Sequence, residues 1–139
     1  MPTCIHVNYF ESEGFKGKQG KGFFYYEGIS AQSAGSLKLC MHRLVLPAGA
    51  RGVAHLHKDH ENAIYVIEGR VDTWFGDKLE SFVVVGPGDY LYIPANVPHL
   101  PWNKQETPAV AIVSRTDANE QESVVLLPEL DAAFMALHA

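Results

Sequence analysis

Three histidines fall within six positions, His55, His57 and His60, and a fourth, His99, follows much later in the chain. On a strand, the spacing His55-x-His57 presents both imidazoles to the same face, because side chains alternate with period two. Two imidazoles on one face can grip one metal ion, and neutral imidazole is the commonest protein ligand for first-row transition metals. Glu61, close by, would add a carboxylate and complete a mixed nitrogen and oxygen site.

Side chains so far apart in sequence meet only if short strands carry them to one place. The chain reads as such strands: Gly22 to Tyr26, Leu37 to Pro47, Ala63 to Glu68, Arg70 to Phe75, Glu80 to Val85, Tyr90 to Ile93, His99 to Trp102, Ala109 to Ser114 and Ser123 to Leu126. They are rich in Val, Ile, Tyr, Phe and Trp, which suit a pleated, half-buried surface. Turn residues separate them, as in Pro47-Ala-Gly49, Gly76-Asp77 and Gly86-Pro87-Gly88-Asp89. Many short strands at even spacing predict a sandwich or barrel. Only the tail, residues 128–138, predicts a helix, with Leu130, Phe134 and Leu137 on one face and Pro128 at the first helical position. Residues 1–35 read as an arm and edge strand, and residues 1–139 as a single domain.

Composition excludes other classes. The chain has 139 residues, with 47% apolar and 19% charged, an ordinary globular balance. A net charge of −5 argues against a nucleic-acid binder, which needs a basic stripe. The nearest basic cluster, Lys16, Lys18 and Lys21, reads as a solvated loop. No apolar run approaches the ~20 residues of a membrane span, and no signal peptide is visible, so a cytoplasmic protein is expected. Cys4 and Cys40 are far apart and read as small buried or half-buried hydrophobes.

The motifs resemble those of the cupin family. That family's first motif is Gly, five residues, His-x-His, three or four residues, Glu, six residues, Gly. Here Gly49 precedes His55-Leu-His57, and the closing glycine is Gly69. The second motif, Gly, five residues, Pro-x-Gly, two residues, His, three residues, Asn, corresponds to Gly88 through Pro94, His99 and Asn103. Asn96 replaces the middle glycine, and Asn is the next most tolerant residue of a left-handed backbone. The motifs span residues 49–103. The resemblance implies an all-β fold, the cupin double-stranded β-helix or jelly-roll barrel, with here a short C-terminal helix. It also implies one metal in the barrel, held by His55, His57, His99 and a carboxylate.

The fourth ligand is where the sequence departs from the pattern. The position that leaves six residues before Gly69 is Asn62, not Glu. Glu61 has the expected spacing from His57 but one residue too many before Gly69. Parity counted back from Gly69 points Asn62 inward and Glu61 outward, unless a bulge re-aims it. His60 shares the parity of Asn62. Chemistry favours Glu61 and register favours Asn62 or His60.

Expected pocket residues are Met41, Arg43, Ile64, Val66, Tyr90, Tyr92 and Trp102, of which alternation lets about half face inward. Arg51 reads as a surface residue. The resemblance implies one divalent transition metal (Fe, Mn, Ni or Zn) and a small organic substrate, in dioxygenase, isomerase or lyase chemistry, with Glu61 as a candidate general base. The alternative is a binding or sensing protein with a structural metal. The resemblance also implies a homodimer, while the acidic charge and the short apolar runs argue against nucleic acid or membrane as partner.

Overall fold

The computed structural model describes residues 3–9, 12, 14–18 and 22–138. Lys21 and parts of the 1–35 arm lie outside the described residues. Along the described chain run β1 (Gly14–Lys16), β2 (Phe24–Ile29), α1 (Ala31–Ala34), β3 (Cys40–Leu46), β4 (His55–His57) and β5 (Asn62–Glu68). Then come β6 (Val71–Phe75), β7 (Ser81–Val85), β8 (Tyr90–Ile93), β9 (His99–Trp102), β10 (Ala109–Arg115), β11 (Val124–Leu126) and α2 (Pro128–His138). Two antiparallel sheets form, ordered β1-β2-β3-β10-β5-β8 and β11-β4-β9-β6-β7. This is the all-β jelly-roll architecture with a C-terminal helix that the motifs imply.

Alternation builds the interior. Cys40, His42, Leu44 and Leu46 of β3 are buried, and so are Ala109, Ala111, Val113 and Arg115 of β10. The two strands pair in register, Leu44 opposite Ala111 and Cys40 opposite Arg115. Phe23 and Tyr25 complete this core with Leu44, Leu46, Val71 and Val113. Each large apolar side chain so buried contributes roughly 1.5–3 kcal/mol. The segment expected as an arm therefore includes an interior strand, since β2 lies between β1 and β3.

The five-stranded sheet is covered on its outer side by α2. Trp74 and Leu100 pack there with Ala54, Leu79 and Phe134. The helix face differs from the sequence expectation: Phe134 is buried, but Leu137 is 82% exposed. His138, one full turn on from Phe134, stacks against it instead. A clamp fixes the helix start. Arg51 Nη1 meets Asp131 Oδ1 at 2.7 Å, and the same oxygen accepts the Ala54 N–H at 2.9 Å.

Two backbone features hold the motifs. Asn96 has φ 66°, the left-handed conformation expected where the family pattern has Gly. Its N–H donates to the His57 carbonyl at 3.0 Å, tying the β8–β9 turn to the end of β4. At Gly69 (φ 81°) a Cβ would sit 2.6 Å from the Ala109 Cα, so only glycine fits. Asn103 is fully buried and donates to the carbonyls of Leu46 and Thr107, locking the loop before β10. Cys40 is buried as expected, whereas Cys4 is exposed. Among the described residues no helix is long and apolar enough to cross a membrane.

Candidate metal centre

His55 and His57 leave β4 on the same face, as the period-two spacing requires, and His99 stands opposite His55 in the paired strand β9. All three are buried, at 2%, 3% and 5% exposure. One ring nitrogen from each lies within 4.8 Å of the others. The imidazole of His55 is 4.2 Å from that of His99, centroid to centroid.

The hydrogen bonds fix their tautomers. His55 Nδ1 donates to the Val53 carbonyl at 2.7 Å, and His99 Nδ1 donates to the Val97 carbonyl at 2.9 Å. In a neutral imidazole one nitrogen donates and the other accepts, so Nε2 of both rings carries a free lone pair. His57 Nε2 faces a guanidinium N–H of Arg115 at 3.4 Å, which makes it an acceptor too. Burial holds all three rings neutral: His55 and His57 fall well below the ordinary imidazole range, and His99 is lowered to about 4. Three lone pairs converging in a buried site repel one another until a cation joins them. The donor set therefore fits a first-row divalent ion.

None of the three contenders supplies a fourth ligand of the expected kind. Glu61 precedes β5 and points outward, where its carboxylate accepts the Tyr92 hydroxyl at 2.6 Å. The pairing of β5 with β10 does slip by one residue, but the extra residue is Ile67, beyond the site, and it does not turn Glu61 inward. The carboxylate is thus out of reach as ligand or as general base. His60 is also outside the triad, half-buried beside Thr116 and Asp117. Asn62 is the inward residue, 2% exposed and lining the cavity. Its Oδ1 accepts from Arg115 Nε, and its Nδ2 has no partner.

Arg115 is the site residue that the strand reading passed over. It ends β10, one position beyond the expected strand, and the alternation of Ala109, Ala111 and Val113 would have placed it inward. Its guanidinium is held by Glu120, through the backbone carbonyl and through a carboxylate contact at 2.8 Å. Both side chains are buried. Burial raises the Glu120 carboxyl above its ordinary value, and the Arg115 charge opposes that rise.

Among the described residues a second group, Cys40, His42 and Glu120, also brings three donor side chains together. It does not fit a metal. The Gly28 N–H donates to His42 Nδ1 at 2.9 Å, so that lone pair is spent and Nε2 carries the proton. Burial pushes the Cys40 thiol up to about 12, and Glu120 is committed to Arg115.

The cavity around the triad encloses about 60 Å³. Its walls are apolar, with Leu44, Ile64, Val66, Val85, Leu91 and Val113 among them. Ile64 and Val66 were expected there. Tyr90 and Tyr92 are not inward, at 82% and 58% exposure, and Met41 is 45% exposed. Arg43 lies 4.0 Å over the Tyr26 ring on the outer face. Trp102 packs toward α2 with Trp74 and Phe134. Alternation explains each case: the neighbours His42, Leu44, Leu91, Ile93 and Pro101 take the inner face.

A jelly roll with a buried His-x-His and a third histidine on the facing strand defines the class. The chain belongs to the cupin family, whose cupin-domain model matches residues 42–115, more than half of its length. Over 54 residues it is 37% identical to quercetin 2,3-dioxygenase of Bacillus subtilis (strain 168), covering 38% of this chain and 15% of that protein. Among solved structures, the polyketide cyclase RemF of Streptomyces resistomycificus matches with TM-score 0.74 and 19% identity, over 90% of this chain and 86% of that one. Oxalate decarboxylase of Bacillus subtilis matches with TM-score 0.72 and 22% identity, over 91% of this chain and 33% of that one. At these identities the structural likeness speaks for the fold. The chain spans a small part of the dioxygenase it matches and a third of the decarboxylase.

Proposed function

We propose that the protein holds one divalent metal ion (Fe, Mn, Ni or Zn) on His55, His57 and His99 and acts on a small organic molecule. The observation that carries this reading is the convergence of three buried ring nitrogens within 4.8 Å of one another, with His55 and His99 oriented by Nδ1–H bonds to backbone carbonyls. Such outer bonds orient a ligating imidazole and raise its basicity. With three protein ligands, an ion keeps open positions and supplies Lewis-acid or, for Fe or Mn, redox chemistry.

The chain's own residues do the rest. Val66, Val85, Leu91 and Ala111 exclude bulk water around the triad. The cavity sets the size. At about 60 Å³ the cavity favours a small molecule. A dioxygenase, isomerase or lyase reaction on a small acid or diketone is the activity proposed.

The test is metal content of the untagged protein by elemental mass spectrometry, followed by oxygen uptake with Fe(II)- or Mn(II)-loaded protein and small organic acids or diketones. About one ion per chain, lost in His57→Ala, supports the reading. A folded protein that takes up no ion removes it. Bound metal with no turnover of any such compound favours the binding or sensing alternative. The chain is also proposed to pair as a homodimer, which would cover exposed apolar side chains such as Ile67 and Phe82. Sedimentation equilibrium reads that directly.

A further inference from the structure

The donors of Arg115 are unevenly spent. Its Nε–H goes to Asn62 Oδ1, and Nη1 serves the Glu120 carbonyl and carboxylate. Among the described residues Nη2 meets only His57 Nε2, at 3.4 Å. At that length the contact is weak, and Nη2 carries two N–H bonds, so at least one of them is left without an acceptor.

Asn62 adds an independent sign of the same kind. It is 2% exposed, lines the cavity and has an Nδ2 with no partner, because its Oδ1 is engaged by Arg115. An unmet buried donor is costly, and more so when charged. Glu120 offsets the charge of Arg115, but among the described residues no carboxylate joins the triad to offset an ion there. Unspent donors and uncompensated positive charge thus fall in one small, mainly apolar cavity.

We infer that Arg115 Nη2 and Asn62 Nδ2 form a carboxylate subsite beside the histidine triad, so that the ligand is a small carboxylic acid with an apolar body. Guanidinium geometry matches a planar carboxylate. The apolar walls suit a short hydrocarbon body and offer a tetrahedral dianion such as phosphate too few donors. The inference rests on the proposed metal reading, since an ion on the triad is what gives the cavity its uncompensated positive charge.

The test uses zinc, which does no redox chemistry, and acetate as the probe, with acetamide as its neutral counterpart. Zinc content is measured first, then binding by calorimetry, for the native protein, Asn62→Ala and Asn62→Asp. Both variants keep the Arg115–Glu120 pair, so circular dichroism should show an intact fold. The zinc-loaded native protein is expected to bind acetate at least about tenfold more tightly than acetamide, and more tightly than the chelator-treated protein does. Asn62→Ala weakens acetate binding about tenfold, the value of one hydrogen bond to a charged group. Asn62→Asp weakens it further, because its carboxylate occupies Arg115 and repels the probe, while zinc is retained. Equal acetate affinity in native and Asn62→Ala protein at equal zinc content overturns the subsite alone. A folded native protein that takes up no zinc overturns the metal reading and the subsite with it.

Discussion

The Tyr92 hydroxyl donates to the Glu61 carboxylate at 2.6 Å on the outside of the barrel wall. The next residue, Asn62, sits inside that wall with its side chain on Arg115. One step along the chain therefore separates a solvated carboxylate from a buried amide. Glu61→Gln is expected to leave metal content unchanged, within the error of elemental analysis. His57→Ala is expected to abolish it. Loss of metal in Glu61→Gln would place the carboxylate in the site after all.

Removing the metal should cost stability. An ion that binds only the folded chain stabilises it by about 2.7 kcal/mol at a hundredfold excess over Kd. For a domain of this size that is roughly 10 °C in Tm. Differential scanning calorimetry with and without a chelator measures it, and identical melting curves would argue against a resident ion.

The metal-free protein should lose stability in mild acid. Burial holds His42 and His99 at about 4 and lowers His55 and His57 as well, against an ordinary value of about 6.5. Between roughly pH 6.5 and pH 4 the unfolded chain binds protons that the folded chain refuses. Unfolding free energy therefore falls as pH falls, and the histidine contribution is flat above that window. Glu120, raised by burial, acts with the opposite sign just above its ordinary value and makes the acid end shallower. Urea titrations across pH should show this slope. In His42→Gln it should be shallower by up to about 1.4 kcal/mol per pH unit, one proton's worth.

The C-terminal helix is held by Phe134 and by the Arg51–Asp131 clamp. Phe134→Ala should cost about 3–5 kcal/mol, because it empties a site ringed by Trp74, Trp102 and His138. Asp131→Ala should cost about 1–2 kcal/mol, since Arg51 and the Ala54 N–H both lose their acceptor. Equilibrium denaturation ranks the two, and the reverse order would mean that polar clamping outweighs apolar packing.

Much of this was legible because a strand has period two. The inward facing of His55, His57 and Asn62 follows from parity alone, and so does the outward facing of Glu61. The chemistry of the carboxylate argued against parity, and parity describes the structure. Parity did not help where the starting residue was ambiguous. In β3, Met41 and Arg43 read as well inward as Cys40 and His42. In β8, Tyr90 and Tyr92 look apolar, but they stand on the solvent side, opposite Tyr65 and Ala63 of β5. Arg115 was hidden for another reason: a charged residue enters a core only with a partner, and that partner, Glu120, lies in an irregular turn where no periodicity operates.

In the five-stranded sheet, β4 meets β9 through one residue pair, His55 with His99, whereas β6 pairs with β9 through four. The seam between the β11-β4 pair and the remaining strands is continued outside the named strands by backbone bonds from Gly52 to Pro101, from Asn103 to Ala50 and from Asn96 to His57. Amide exchange at this seam should be faster when the triad is bare than when an ion joins its two sides. An ion spanning His55 and His99 would act as a clasp, so occupancy and the breathing of this sheet become one equilibrium.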